Sequence, residues 1–166
     1  ATNAGDYTVY YKVKGDGNHS DSDEGQVTVT IAPKTVKDPT IELLDENGDP
    51  LVSYTYDGSA KKPTVVVKDG STVIGTTDSA TGVNDEYNVI YTNNVDAGTA
   101  TVNITDKAGG NYTVTGSATF VIVKADIVFN QAPLAADITY DGKAHELVTP
   151  GTTSGGTVQY ALNSPN

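Results

Sequence analysis

Residues 97–102 have the sequence Ala-Gly-Thr-Ala-Thr-Val, and residues 4–9 have the related sequence Ala-Gly-Asp-Tyr-Thr-Val. A Gly-Asn pair follows each stretch at the same distance, at residues 110–111 in one case and 17–18 in the other. Each copy then ends in a segment rich in β-branched residues, as a closing strand would. Matching segments in the same order indicate an internal repeat, which constrains the fold more strongly than any local pattern.

A second pair of matching segments marks the other half of the repeat. Residues 54–61 are Tyr-Thr-Tyr-Asp-Gly-Ser-Ala-Lys, and residues 138–145 are Ile-Thr-Tyr-Asp-Gly-Lys-Ala-His. The segments therefore occur in the order back half, complete unit, front half. We predict that residues 1–34 end one repeat, that residues 35–124 form a complete repeat, and that residues 125–166 begin a third.

Strand and turn signals predict an all-β fold. Residues 7–13 alternate between Tyr or Val on one face and Thr, Tyr or Lys on the other, which is typical of a strand. Asn47-Gly48 lies between the apolar segments 41–44 and 51–54, which is a strong hairpin signal. Asp69-Gly70 marks another turn. Many short strands separated by turns at this spacing favour a β-sandwich.

The composition excludes several classes of function. The chain has 21 acidic residues, 10 basic residues that are all lysine, and a net charge of −11, so we expect neither nucleic acid nor anionic lipid as a partner. The absence of cysteine excludes a disulfide framework, a thiolate nucleophile and a cysteine-based zinc site. No apolar run is long enough to span a membrane, so we expect no membrane insertion. The start at Ala1 without a signal peptide is what we expect of an internal fragment.

These segments carry a resemblance to a known family. Residues 140–148, Tyr-Asp-Gly-Lys-Ala-His-Glu-Leu-Val, resemble the opening of bacterial Ig-like repeats of the MBG type. Residues 4–13, together with Gly17-Asn18-His19, resemble the end of the same repeat. The central unit is similar to the related YDG-type repeat in three segments: 56–58, 93–98 and 110–112.

The resemblance covers nearly the whole chain and implies Ig-like β-sandwich repeats in tandem, with one complete central domain flanked by two partial repeats. It implies an extracellular location on a bacterial cell surface or in a secreted, adhesin-like protein. Residues 157–160 are expected to form a strand that corresponds to residues 87–91. Similar repeats have a further strand after residues 160–162, and the chain ends before it, so we expect neither flanking half to be a complete domain.

Two groups of polar residues are candidates for calcium. Asp45, Asn47 and Asp49 have the first ligand spacings of an EF-hand loop, but Pro50 replaces the required glycine, and we interpret the segment as a hairpin tip. The other group shares one loop, which we interpret as solvated, with weak calcium binding as the alternative. Its members are Asp16, Asp21, Asp23 and Glu24.

The sequence offers no candidate catalytic centre. His19 and His145 are the two histidines, and the matching repeat positions hold Tyr112 and Lys61, so we interpret both histidines as structural. There is no Gly-x-Ser-x-Gly nucleophile motif. We predict that the chain is not an enzyme and that it has no cofactor. Five tyrosines are candidates for a sugar-stacking platform, although tyrosine in strands more often lines a core; they are Tyr54, Tyr56, Tyr87, Tyr91 and Tyr112.

Three functions remain open. The first is a structural stalk or spacer whose partners are neighbouring repeats of the same protein. The second is an adhesin module that binds a host protein or a glycan through the loop 75–86, because binding function concentrates on loops. The third is a filament subunit that assembles with its own kind, because the two partial repeats are complementary and expose strand edges.

Overall fold

The structure is a computed structural model that describes residues 1–77 and 84–163, in two compact units, Ala1–Lys124 and Ala125–Asn166. Every described element is a strand, so the predicted all-β class is confirmed. The strands of the first unit are β1 (Gly5–Tyr11), β2 (Gly25–Ile31), β3 (Lys34–Thr35), β4 (Pro39–Leu44), β5 (Tyr54–Thr55), β6 (Thr64–Asp69), β7 (Thr72–Thr76), β8 (Tyr87–Thr92), β9 (Gly98–Asp106), β10 (Tyr112–Thr113) and β11 (Gly116–Val123).

Two sheets in the first unit share one apolar core, in the manner of a β-sandwich. One sheet has the order β4-β6-β7, and the other has the order β5-β11-β9-β8. β6 contributes Val65 and Val67, and β9 contributes every second residue, Ala100, Val102 and Ile104, all of them buried. The period of two in β9 is what a strand with one buried face requires.

The predicted hairpin at Asn47-Gly48 is only partly correct. The turn closes as expected, because the amide of Asp45 donates to the carbonyl of Asp49 at 2.9 Å, and the amide of Gly48 donates to the carbonyl of Asp45 at 3.1 Å. The chain then leaves this sheet, and β5 pairs in parallel with β11, with Tyr54 opposite Ile122. The segment therefore connects the two sheets of the sandwich.

The turn predicted at Asp69-Gly70 joins two antiparallel strands of one sheet. β6 and β7 pair with Asp69 opposite Thr72, which leaves Gly70 and Ser71 as the loop. Gly70 has a φ of 59°, a conformation that glycine adopts without steric cost. This prediction is confirmed.

Two tyrosines of β8 extend the core towards the β4-β6-β7 sheet. Tyr87 is 1% exposed, and its hydroxyl lies 3.0 Å from the carbonyl oxygens of both Val65 and Gly75. The hydroxyl of Tyr91 donates to the carbonyl of Pro63 at 2.8 Å. Tyr87 is therefore buried and Tyr91 is half-buried against the core, each with its hydroxyl hydrogen-bonded, which favours the core interpretation of these tyrosines over a sugar platform.

β1 and β2 form a separate two-stranded antiparallel ribbon. Tyr7 lies opposite Val29, and Val9 lies opposite Val27, so these side chains share one face. We call this the apolar ribbon face, and its members are Tyr7, Val9, Tyr11, Val27, Val29 and Ile31. The face is open to solvent, since Val9 is 48% exposed and Val27 is 50% exposed.

The ribbon has the same register as the β9–β11 pair of the sandwich. Gly5 lies opposite Ile31 at one end of the ribbon, as Gly98 lies opposite Ile122 in the sandwich. At the other end Tyr11 faces Gly25, and the corresponding pair in the sandwich is Ile104 and Gly116. The φ angles of Gly5 and Gly98 are also alike, at 142° and 148°. The sequence match therefore extends to backbone geometry and strand pairing.

The second unit is small and carries four short strands. These are β12 (Phe129–Gln131), β13 (Leu134–Ala135), β14 (Val148–Thr149) and β15 (Thr152–Thr153). β12 pairs with β15 and β13 pairs with β14, both antiparallel, with an irregularity between Phe129 and Gln131. The expected strand at residues 157–160 is not formed, and Tyr160 instead accepts a hydrogen bond from the amide of Gly151 at 2.8 Å.

The Tyr-Asp-Gly segments of the two units adopt the same turn. Gly58 and Gly142 have φ angles of 80° and 78°, which favour glycine. Asp57 Oδ1 accepts the amide of Ser59 at 2.8 Å, and Asp141 Oδ1 accepts the amide of Lys143 at 3.0 Å. The two matching sequence segments therefore have the same backbone structure.

Within the described ranges, no helix is long and apolar enough to cross a bilayer.

We predict that the sandwich loses stability at alkaline pH because of its buried tyrosines. Burial raises the pKa of Tyr87 above its ordinary value and raises the pKa of Tyr91 to about 12. The neutral phenols therefore stabilise the fold fully below the unfolded pKa of about 10, and this contribution is lost as the pH rises towards 12. The free energy of unfolding should fall by up to about 1.4 kcal/mol per pH unit for each such tyrosine.

The measurement is urea unfolding between about pH 8 and 11, a range that spans the unfolded pKa of tyrosine. Tyr91→Phe should reduce the slope, whereas the matched control Tyr10→Phe should keep it because Tyr10 is 61% exposed. Equal slopes for wild type and Tyr91→Phe would contradict the prediction.

At neutral pH, Tyr87→Phe should lower the free energy of unfolding by about 1 kcal/mol, because the hydrogen bond of the hydroxyl is lost.

Candidate functional site

The first acidic residue proposed for calcium, Asp16, is bound within its own turn. Its Oδ1 accepts the amide of Asn18 at 2.8 Å and lies 2.7 Å from Nδ1 of His19. The Asn18 amide, followed by the His19 ring, holds the pKa of the Asp16 carboxyl below its ordinary value. The carboxylate therefore organises the loop between β1 and β2.

The other acidic residues of this loop do not assemble around Asp16. Asp21 Oδ1 accepts the amide of Gly15 at 2.8 Å, and its Oδ2 lies 3.5 Å from the ammonium groups of Lys12 and Lys14. Two further acidic residues are exposed: Asp23 and Glu24. In residues 1–77 and 84–163, no three Asp, Glu or His side chains lie close enough together to hold a metal ion. The described residues therefore provide no cluster of ligands for the predicted weak calcium binding.

The second calcium candidate, at residues 45–49, forms a closed turn. Asp45 Oδ1 accepts the amides of both Asn47 and Asp49 at 2.9 Å. This is the way that aspartate side chains commonly stabilise turns, and it supports the interpretation as a hairpin tip.

Both histidines pair with an aspartate of their own turn. His145 Nε2 lies 2.7 Å from Asp141 Oδ1, four residues earlier, much as His19 pairs with Asp16. Lys61 makes the corresponding contact in the first unit, with its Nζ 2.6 Å from Asp57 Oδ2. A histidine and a lysine thus fill one role at matching positions, which is to close the Tyr-Asp-Gly turn.

The ends of the ribbon join the sandwich at one place, which we call the junction. β3 follows the ribbon and pairs in parallel with β10, with Lys34 opposite Tyr112 and Thr35 opposite Thr113. The amide of Lys34 donates to the carbonyl of Asn111 at 2.9 Å. The C-terminal end of the ribbon is therefore attached by backbone hydrogen bonds.

Asn111 also attaches the N-terminal end of the ribbon. Its Oδ1 accepts the amide of Ala4 at 2.8 Å. Its own amide donates to Glu86 Oε2 at 2.7 Å, and its Nδ2 donates to Glu86 Oε1 at 2.9 Å. One asparagine thus joins three segments that are distant in sequence, and the charged acceptor makes two of these bonds stronger than neutral ones.

The Glu86 carboxylate is positioned by the turn that precedes it. Asn84 Oδ1 accepts the amides of Glu86 and Tyr87 at 2.8 Å and 2.9 Å. Lys107 Nζ donates a hydrogen bond to the carbonyl of Asn84. Because Tyr87 is buried in the core, the backbone of the adjacent Glu86 is held in place, and its carboxylate lies next to Asn111.

One ion pair adds to the junction. Lys34 Nζ lies 2.5 Å from Asp69 Oδ2, and the hydrogen bond to Asp69 raises the pKa of Lys34. Because the lysine side chain is 66% exposed, water screens the pair and it contributes little to stability. The junction therefore depends mainly on Asn111 and on the β3–β10 pairing.

The sequence drew attention to one member of the junction, because the Gly-Asn pair at residues 110–111 recurs at residues 17–18. The positive φ in this loop belongs to Gly109, at 81°. Asn111 acts as a bridging side chain, and nothing in the sequence marked Glu86 as its partner. The centre of the loop 75–86, proposed for ligand binding, lies outside the described residues.

No protein-family model, no curated protein and no solved structure matches the chain.

We predict that Asn111→Asp weakens the junction. The new carboxylate would face Glu86 Oε1 across the present 2.9 Å contact, which replaces a hydrogen bond by like-charge repulsion. The cost should be about 1–3 kcal/mol in the free energy of unfolding, and the Ala4 amide should exchange faster with solvent.

Urea unfolding and amide hydrogen exchange measure these two effects. Asn18→Asp is the matched control, because Asn18 occupies the same place in the repeat and its side chain is exposed. Equal losses for the two variants would show that Asn111 does not have this bridging role.

Proposed function

We propose that the chain is a structural spacer from an extracellular bacterial protein, built from Ig-like repeats in tandem. In this proposal residues 1–34 end one repeat, residues 35–124 form the complete repeat and residues 125–166 begin the next. The single observation that carries the proposal is the junction, where the ribbon is attached to the sandwich at both of its ends. The resemblance to MBG-type and YDG-type repeats supports it.

A spacer must hold successive repeats at a fixed orientation, and the junction has the means to do so. Parallel pairing of β3 with β10 restricts one end of the ribbon, and the Ala4–Asn111–Glu86 bridge restricts the other. Attachment at two points resists rotation in a way that a single flexible linker cannot. The absence of cysteine makes such contacts between neighbours the natural source of stability in a repeat protein.

The remaining chemistry fits this role. The net charge of −11 supports solubility and self-repulsion along an extended molecule. The histidines close turns, and Asp16 and Asp21 of the β1–β2 loop accept hydrogen bonds from backbone amides. The proposal therefore includes that the chain is not an enzyme and needs no cofactor.

Binding of a host protein or a glycan through the loop 75–86 is the competing function. The tyrosines that were candidates for a sugar platform mostly pack on the core, and Tyr87 belongs to it outright. A glycan array and a cell-surface pull-down with the whole chain test this alternative. Specific capture that is lost when the loop 78–83 is replaced would favour the binding module over the spacer.

The spacer proposal predicts that the ribbon and the sandwich tumble as one body. Residual dipolar couplings of amides in β1 and β2 should fit the same alignment tensor as those in β9 and β11. The Asn111→Asp variant should give two tensors and higher ribbon mobility, whereas Asn18→Asp should behave like wild type. A wild-type ribbon that reorients independently of the sandwich would overturn the proposal, because the junction would then not transmit orientation.

A further inference from the structure

A groove lies between the two sheets of the sandwich, with β4 on one side and β11 on the other. It has a volume of about 320 Å³, which is the size of a small binding site. Its lining consists mainly of apolar side chains and includes Leu43, Leu51, Val52, Ala118 and Phe120. All of its lining residues lie between positions 41 and 121, so the groove is formed within the sandwich and involves neither the ribbon nor residues 125–166.

The β11 side of the groove has an incompletely paired strand edge. β5 pairs with only the last two residues of β11, Ile122 and Val123. In residues 1–77 and 84–163, no strand pairs with this edge from Gly116 to Val121. An edge of this kind offers unpaired N–H and C=O groups to an extended segment of another chain.

Alternation of the backbone identifies the groups that face the groove. Successive residues of a strand direct their N–H and C=O groups to opposite edges. The carbonyl of Val123 points to the β5 side, where it accepts the amide of Tyr56 at 2.9 Å. Thr119 is four residues earlier in the same strand, so its N–H and C=O point to the same side. Thr119 also lines the groove.

The groove is narrow at one end. A methyl group at Gly116 would lie 2.8 Å from Cδ1 of Ile41, so β4 and β11 are in contact there. An added strand therefore has room beside Thr119 rather than beside Gly116.

A second hollow, of about 390 Å³, adjoins the groove at Leu51 and Val52, which line both. The second hollow is also lined by two acidic residues, Asp45 and Glu46, and by Tyr54. In the described part of the chain, neither of these two carboxylates pairs with a lysine. The apolar groove therefore continues into a hollow with carboxylates that are available to a ligand.

The electrostatic potential of the second hollow is negative. Lys61 also lines it, but its Nζ lies 2.6 Å from Asp57 Oδ2, so its charge is largely neutralised. Burial, followed by the charges of Asp45 and Glu46, raises the pKa of Tyr54. The hollow therefore favours a positively charged ligand group over a negatively charged one.

We propose that the groove binds an extended segment of a partner protein, with apolar side chains at alternate positions and a lysine or arginine at the end next to the second hollow. The segment would pair with β11 at Thr119 and continue the sheet, a common mode of peptide recognition. Its apolar side chains would be buried against Leu43 and Phe120, which provides the driving force. Its basic residue would meet Asp45 and Glu46, and this charge complementarity selects against acidic segments.

This binding goes beyond the spacer function and does not depend on it. A spacer needs no ligand, and no residue of the junction lines the groove. A chain with a weakened junction should therefore bind the segment as well as wild type does.

The first test is an NMR titration of the whole chain with a peptide that has blocked termini and the sequence Lys-Thr-Val-Thr-Val-Thr-Lys. Lysine at both ends allows the peptide to bind in either strand direction. We expect amide shifts at Leu51, Thr119 and Phe120, with a Kd below about 1 mM. The matched peptide with glutamate in place of both lysines should bind at least about tenfold more weakly at low salt, because like charges then meet at the second hollow. Absence of shifts at these three amides at a peptide concentration well above that Kd overturns the proposal.

The second test changes the groove. Thr119→Pro removes the N–H on the open edge, where proline is tolerated because the pairing with β9 does not use this N–H. This variant should lose binding of the lysine peptide, whereas Thr119→Val should keep it. Glu46→Lys should weaken binding about tenfold, and Glu24→Lys is its matched control, because it makes the same charge change in the exposed loop between β1 and β2. Thermal unfolding checks that each variant is folded. Unchanged binding by Glu46→Lys overturns the proposal even if Thr119→Pro does not fold.

Hydrogen exchange of the Thr119 amide distinguishes other occupants of the groove. We expect this amide to exchange rapidly in the chain alone and to be protected by the lysine peptide. Protection at every protein concentration without peptide would show that another part of the chain covers the edge. Protection that rises with protein concentration would show that a second copy covers it. Either result overturns the proposal.

Discussion

The contact between the β9–β11 pair and the β4-β6-β7 sheet is the interaction on which the structure depends. A pair of strands has one face that must be buried, and it cannot bury that face by itself. In the sandwich, Val102 and Ile104 meet Val65 and Val67 in a core with no exposed member. The same requirement applies to the ribbon and to residues 125–166, which have the strand pairing of the two halves without the shared core. The exposed valines of the ribbon follow from this single constraint.

The junction is the second feature on which the structure depends. In a chain of repeats, as proposed above, a unit gains stability from contacts with its own other half and with its neighbours. Asn111 provides such a contact by using its backbone carbonyl, its amide and its side chain for three different segments. Glu86 completes it from a turn fixed by the buried Tyr87. The orientation of the ribbon is thereby coupled to the core of the sandwich, even though the ribbon contributes nothing to that core.

The sequence predicted the parts of the fold that depend on local chemistry or on repetition. The prediction of a turn at Gly70 was correct because a two-residue loop with a positive φ favours glycine. The similar φ angles of Gly58 and Gly142 follow from the matching sequences around them. The strand after Asn47-Gly48 was assigned to the wrong neighbour, because the choice between two sheets depends on tertiary packing that the turn does not encode. The predicted strand at 157–160 failed for a similar reason, since a segment with strand composition needs a partner strand to pair with.

The candidate site was harder to predict, for a physical reason that its residues illustrate. Asn111 and Asn18 look alike in sequence, and both follow a glycine in matching loops. What separates them is the carboxylate that each meets: Glu86 lies 25 positions away from Asn111, whereas Asn18 meets Asp16 of its own turn. Matching sequence segments therefore show which residue types recur, but they do not show which partner a recurring residue binds in each copy. The use of Asn111 depends on the presence of a complete front half, because only the front half supplies Glu86. Completion of the core and formation of the junction are thus linked, since the segment that covers β9 and β11 also positions the acceptor that holds the neighbouring ribbon.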